Sequence, residues 1–216
     1  MRVLLDNLPS LLEGFGKTLG LSALAALIAL VLGTILAACR VSPIPTLRGM
    51  GTSYVNVVRN TPLVLLLVLF VFGIPQLGIT GDHVFALCVA AIGCYAAAFI
   101  CEALRSGINS VHPGQAEAAR AIGLTFTQNL QLIILPQAFR AVIPPLANVF
   151  IALVKNTAIV EAFGVTEAAY QMDSLIRDNP NALIWVFVGA ALGYIIIVFA
   201  ISGVARMFER RLAVAR

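Results

Sequence analysis

Three sets of residues could carry chemistry in this sequence, and each fails as a catalytic group. His83 and His112 are its two histidines, far apart and with no clustered carboxylates or thiols beside either. Acid–base work needs a positioned partner, and a metal centre needs three or four donors together. The four cysteines, Cys39, Cys88, Cys94 and Cys101, lie in or at the ends of apolar runs with no CxxC pair. They read as small apolar packing residues rather than ligands or disulfides. Gly16-Lys17-Thr18 copies the end of a phosphate-binding loop, but that loop needs a glycine where Leu11 stands and a preceding strand. No nucleotide site is expected on this chain. Leu36-Ala37-Ala38-Cys39 has the look of a lipoprotein cleavage box, yet the apolar run before it is too long for a signal peptide.

The elements that hold these residues follow from composition. Of 216 residues, 60% are apolar and 11% charged, against about 45–50% and about 25% in a soluble domain. Too few polar side chains exist to cover a wetted surface, so the chain is read as an all-α integral membrane protein. The net charge of +4 is spread singly between apolar blocks, which is no nucleic-acid footprint. A helix needs about 20 apolar residues to cross the hydrocarbon core. Five runs qualify, at about 18–39, 60–81, 84–101, 137–160 and 181–205. They are continuous rather than alternating, which excludes a barrel. One membrane domain over 1–216 is expected. Leu4, Leu8, Leu11, Leu12 and Phe15 recur at helical spacing before the first run. They form either a separate interfacial helix or a continuation of the first span.

Five spans place the two ends on opposite sides. With the N-terminus outside, the inside segments carry ten basic residues: Arg40, Arg48, Arg59, Arg105, Arg120, Arg140, Arg206, Arg210, Arg211 and Arg216. Only Arg2, Lys17 and Arg177 fall outside. The positive-inside rule selects that orientation.

Lys155 is the one basic residue within the apolar stretch Ala141–Val160 of the fourth run, and no other run carries one in its interior. A buried charge there costs about 2.5–3.5 kcal/mol on insertion scales, so it must face a cavity or a partner. Two readings stand. Lys155 either snorkels or pairs with Glu161 or another subunit, or with Asn156 and Thr157 it lines a substrate path. Tyr95 and Asn148 are further polar groups in apolar spans that could line the same path. Pro144-Pro145, in the fourth run, would free backbone carbonyls that a water-filled cavity could satisfy.

The polar interval 102–136 is too long for a simple connector. Pro113-Gly114 breaks it, Gln115–Ile122 has helix-forming composition, and Gly123 fits a left-handed stop. A further break is expected at Pro136. Ala116, Ala118, Ala119 and Ala121 would let the short helix seat closely in a partner's groove, with Glu117 and Arg120 as polar anchors.

Glu117-Ala118-Ala119 followed by Gly123, Ile133 and Leu135-Pro136 resembles the EAA loop of the membrane subunits of bacterial ABC importers. Arg59-Asn60-Thr61-Pro62-Leu63 with Phe72-Gly73-Ile74-Pro75, and Lys155-Asn156-Thr157-Ala158-Ile159, are similar to the polar amino-acid branch. Arg40-Val41-Ser42-Pro43, Leu104-Arg105-Ser106-Gly107-Ile108-Asn109 and Glu209-Arg210-Arg211-Leu212-Ala213-Val214 look like actinobacterial glutamate-uptake permeases, although the outer loop 76–83 is shorter.

The resemblance implies a type I importer permease fold: five spans, an N-terminal interfacial helix and a cytosolic coupling helix. It implies a transport subunit rather than an enzyme, in a bacterial plasma membrane. Amino acids would move inward by alternating access, glutamate foremost and other polar amino acids as the alternative. The family's coupling role would fall on Gln115, Glu117, Ala118, Ala119, Arg120, Gly123, Leu135 and Pro136. Implied partners are a second permease subunit, identical or related, and two cytosolic ATPases that carry the ATP and magnesium. An extracytoplasmic substrate-binding protein would deliver the cargo. A secondary transporter would show longer chains or inverted repeats, which the sequence lacks.

Overall fold

The structure, a computed structural model, describes residues 2–78 and 83–212, excepting the side chain of Leu212. Residues 79–82 of the outer loop, Asp82 among them, and Ala213-Val214 and Arg216 lie outside the described residues. Elements run α1 (Arg2–Asp6), α2 (Leu8–Val41), α3 (Pro45–Arg59), α4 (Leu63–Val68) and α5 (Ile74–Gln76), then α6 (Val84–Asn109) and α7 (Pro113–Ala121). After them come α8 (Phe126–Asn129), α9 (Leu135–Asn156), α10 (Ala168–Asp178) and α11 (Leu183–Leu212). Among the described residues, four helical stretches are long and apolar enough to span a membrane, or five when α3 to α5 are taken as one bent span.

The first and third spans form the spine. α2 and α6 run parallel, with Gly33 facing Ile100 and Gly93 facing Ile28. A Cβ built on either glycine would stand 2.8 Å from its neighbour's side chain, so glycine is what allows the approach. Leu21, Ala25 and Ala29 of α2, Ile92 and Ile100 of α6, Leu67 of α4 and Leu153 of α9 share one buried core. α11 turns Ile184, Trp185, Phe187, Ile196 and Phe199 outward, an apolar surface that belongs in lipid. The chain is membrane-embedded.

Proline shapes the rest. Pro62 has no N–H and disfavours helical geometry at Thr61, so the chain turns by 105° between α3 and the segment Leu63–Gln76. Span two is therefore shorter than the run at 60–81. Elsewhere a widened π turn absorbs the proline. Leu69–Gly73 precedes Pro75 and Leu130–Ile134 precedes Pro136. In each case the residue before the proline bonds five positions back, Ile74 to Leu69 and Leu135 to Leu130. The wide turn relieves the clash of the ring with the carbonyl four residues earlier.

One expectation is corrected by this geometry. Pro136 does not break the chain, because the π turn carries helix through from Phe126 to Phe163. Within the interval 102–136, α6 extends to Asn109 and helix resumes at Phe126 on the far side of α7. Pro144 and Pro145 lie inside α9, within the fourth run. At the N-terminus, α1 is only five residues long and α2 begins at Leu8, so Leu11, Leu12 and Phe15 belong to the first long helix.

Candidate functional site

Helix α7 is bounded by local chemistry. His112 accepts the Gly114 N–H at its N-terminus, 3.1 Å, and Pro113 opens the first turn. At the other end Gly123 adopts φ +87°, the left-handed region that a Cβ would disfavour. The Gly123 N–H bonds Arg120 O at 3.0 Å and the Leu124 N–H bonds Ala119 O at 3.1 Å, a paired C-terminal cap. Thr125 and Gln128 then cap each other and restart the chain as α8. Asn129 is buried and donates to Ala116 O at 2.9 Å, tying α7 to the base of the fourth span.

Within this frame Ala119 is buried against its own chain, while Gln115, Glu117, Ala118 and Arg120 are exposed. Ile122 and Phe126, large apolar residues on either side of the turn, are each 79% exposed. Leu135 and Pro136 are exposed one helical stretch later. The segment thus presents polar and apolar groups together, held by a rigid turn, on a face the chain itself leaves uncovered.

Arg59 closes α3 with its guanidinium 3.6 Å from Glu102 and 5.5 Å above the Phe99 ring. Asn60 and Thr61 bond back to Asn56 O and Val57 O at 2.7 and 2.8 Å, stiffening the turn into Pro62. Glu102 also pairs with Arg40 from the end of α2 and with Arg105 at 2.8 Å. One carboxylate therefore gathers three guanidiniums from three helices. Arg40, Arg59 and Arg105 each stand in a motif quoted from the sequence, but the separations along the chain hid their meeting at Glu102.

The residues around Lys155 diverge. Pro144, Asn148, Ala152 and Lys155 are exposed at spacings of four, four and three, which places them on one face of α9. Asn156 is half-buried, and Thr157 is fully buried with its hydroxyl donating to Val154 O at 2.7 Å. Tyr95 packs inside the bundle, its ring 5.0 Å from that of Phe99. Lys155 forms no ion pair with Glu161, nor with any other carboxylate among the described residues.

A second polar centre had no motif to announce it. Glu167, fully buried, accepts from the Thr18 hydroxyl at 3.0 Å, the Tyr194 hydroxyl at 2.9 Å and the Tyr170 N–H at 3.0 Å. Lys17 donates to Thr166 at 2.9 Å and pairs with Glu13. The residues that imitate a phosphate loop, Lys17 and Thr18, are thus spent on tying α2 to the start of α10.

A profile of the family described as binding-protein-dependent transport system inner membrane component matches residues 29–214. A glutamate transport system permease protein, GluC of Corynebacterium efficiens, is 45% identical over 214 residues, covering 94% of each chain. A probable glutamine ABC transporter permease protein, GlnM of Bacillus subtilis, is 39% identical over 97% of this chain and 96% of its own. Among solved structures, an amino acid ABC transporter crystallised with histidines has a chain that superposes with a TM-score of 0.88. It is 32% identical, over 96% of both chains.

Proposed function

Because this chain belongs to the family of binding-protein-dependent transport system inner membrane components, we propose that it is the membrane-spanning subunit of an ATP-driven importer of glutamate. The chain is a transport subunit, and ATP hydrolysis belongs to a separate partner. The observation that carries the reading is the α7 segment. It is rigidly capped at both ends and exposes Gln115, Glu117, Ala118 and Arg120, with Ile122 and Phe126 as apolar knobs.

In this reading α7 seats in a groove of a cytosolic ATPase, which holds ATP and magnesium. Closure of two ATPases draws two such helices together and tips two permease subunits toward an outward-open state. Hydrolysis resets them, so nucleotide acts by binding the two states differently. A substrate-binding protein delivers the amino acid from outside. The N-terminus lies outside and the C-terminus in the cytosol, as the asymmetry of basic residues requires. The exposed α9 face with Asn148 and Lys155 lines the path between two permease subunits, where the ammonium meets the side-chain carboxylate of the cargo. Asn156, Thr157 and Tyr95 shape that face from within the bundle.

The test is uptake of labelled glutamate by proteoliposomes holding the reconstituted complex, with ATP inside or absent. ATP-dependent uptake, competed by unlabelled glutamate more strongly than by glutamine, is expected. Uptake driven by an ion gradient without ATP would overturn the class, and stronger competition by glutamine would reassign the substrate. Lys155→Met should abolish glutamate uptake while leaving assembly and basal ATP hydrolysis intact. Unchanged uptake would return Lys155 to a structural role. Gly123→Asp and Glu117→Lys should insert normally yet lose substrate-stimulated hydrolysis, because a Cβ strains the turn and a reversed charge meets the ATPase.

A further inference from the structure

The turn into Pro62 uses the side chains of Asn60 and Thr61 on its own carbonyls and leaves the Arg59 guanidinium without a hydrogen bond among the described residues. Both Glu102 oxygens are already taken, one by Arg40 and the other by Nε and Nη2 of Arg105 at 3.2 and 2.8 Å. At 3.6 Å, Arg59 feels that carboxylate but does not bond it. Three cations against one anion leave two positive charges unanswered. The fold sets this guanidinium beside the exposed α9 face. α6 and α9 run antiparallel and touch where Gly107 meets Ala138 and Val142. Eight residues on from that contact, about 12 Å, stand Phe99 on α6 and residues 146–150 on α9, Asn148 in their middle. Lys155 lies seven residues beyond Asn148, about 10 Å farther from α7. α2 covers one side of the pair, meeting Gly93 and Ile100 of α6 and facing Ile143 and Phe150 of α9 across a groove. At about 100° per residue, Phe99 is turned about 100–120° from Ile100 and Gly93, and Asn148 about 140–160° from Ile143 and Phe150. Both therefore open on the side away from α2.

We infer that Arg59 is a carboxylate-binding residue of the transport path, taking the α-carboxylate of the amino acid at the level of Asn148, a role that rests on the transport reading above. A guanidinium presents two parallel N–H groups that match both oxygens of a carboxylate, and it stays charged throughout. Phe99 supports the group from one side, 5.5 Å from its ring, while the Arg59 side chain is 43% exposed, so a ligand can reach the fork. Charges at membrane depth mark ion and substrate paths unless a partner completes them, and here one carboxylate cannot complete three arginines. Arg40 and Arg105 hold Glu102, and Glu102 keeps Arg59 in place without bonding it. An incoming anion therefore breaks no hydrogen bond to dock. Because Arg59 lies apart from Lys155, it needs no charge on the cargo's side chain. The α-carboxylate is the group that every amino acid offers. Cargo entering from the Lys155 end meets the ammonium first and the guanidinium second.

The test is binding of labelled glutamate and of labelled glutamine to the permease–ATPase complex in phosphatidylcholine nanodiscs, without nucleotide or binding protein. Arg59→Gln should weaken both amino acids about 30-fold, because both carry the α-carboxylate. Arg59→Lys should recover part of that loss, since the charge returns without the fork. Glu102→Gln should bind both at least as tightly as the unmodified complex, because Arg59 loses a competing anion. Equal weakening by Arg59→Gln and Glu102→Gln would overturn the site, for Arg59 would then serve the Glu102 cluster alone. So would unchanged binding in Arg59→Gln, a loss confined to glutamate, or binding of neither amino acid to the unmodified complex. Replacing part of the phosphatidylcholine by phosphatidylglycerol should leave the affinities as they are. A fall that Arg59→Gln abolishes would assign the guanidinium to lipid headgroups and overturn the site as well. Binding is read without ATP, so absence of ATP-driven uptake would sink the importer reading and leave this site standing.

Discussion

Two glutamates, one near each end of the bundle, hold helices together by opposite means. Glu102 is partly exposed and surrounded by cations from α2, α3 and α6, with Arg105 at 2.8 Å and Arg59 at 3.6 Å. Glu167 is fully buried and, among the described residues, held by neutral donors, two hydroxyls and an N–H from α2, α11 and α10. Near water, charge can be answered by mobile guanidiniums at little desolvation cost, and the net attraction is modest and screened. In the interior a carboxylate survives only if fixed dipoles replace its lost hydration, and removing one member strands the others. The first arrangement can be loosened and remade; the second behaves as a rivet. That difference fits the function proposed above, in which the α7 end would move against a partner ATPase while the opposite end kept its helices in register.

The strongest way to break the contrast is Glu167→Ala. It strands the Thr18 and Tyr194 hydroxyls and removes the cap of α10, and should cost about 3–4 kcal/mol. A clear fall in thermal unfolding temperature of the purified complex is expected. Glu167→Gln keeps an acceptor and should cost about 1 kcal/mol, so an equal loss in both would show that charge rather than hydrogen bonding holds the node.

Glu102→Gln comes next, at about 1–2 kcal/mol, because it leaves three neighbouring guanidiniums to repel one another at a partly wetted site. Salt sharpens the comparison here. The penalty of Glu102→Gln should shrink between 0.1 and 1 M salt (about 10 Å falling to about 3 Å of screening length), while that of Glu167→Gln should not move. Identical salt responses would dissolve the distinction. The smallest expected effect is Arg59→Lys, about 0.5–1 kcal/mol, since the charge stays and only the stacking on Phe99 and the fork geometry are lost. Unfolding curves of unchanged midpoint would remove Phe99 from the latch.

How much was legible beforehand follows from the range of each interaction. The stop at Gly123 could be read from the chain because a left-handed turn is decided by one residue and its neighbours. The mutual cap of Thr125 and Gln128 was equally local and carried a recognisable three-residue spacing, yet it lay hidden in an interval read for its family motif. The Glu102 latch joins residues 62 positions apart and the Glu167 node residues 149 apart. No spacing rule reaches that far. Lys155, Asn156 and Thr157 look like one cluster in the sequence, but successive residues on a helix point about 100° apart, and Thr157 turns into the core.

The sequence by itself determined that this chain lives in a bilayer and where its apolar runs fall, because hydropathy is a sum over neighbours and lipid demands about 20 such residues at a time. It also determined the α7 segment and the family likeness, which rest on short contiguous motifs. Only the tertiary structure decided that Pro75 and Pro136 sit behind π turns in continuing helix, that Lys17 and Thr18 bind Thr166 and Glu167 rather than phosphate, and that three arginines share one carboxylate. Those outcomes depend on which helices lie side by side, and that is settled by the close glycine contacts of α2 with α6 and by the packing of the whole bundle, not by any residue's own neighbours.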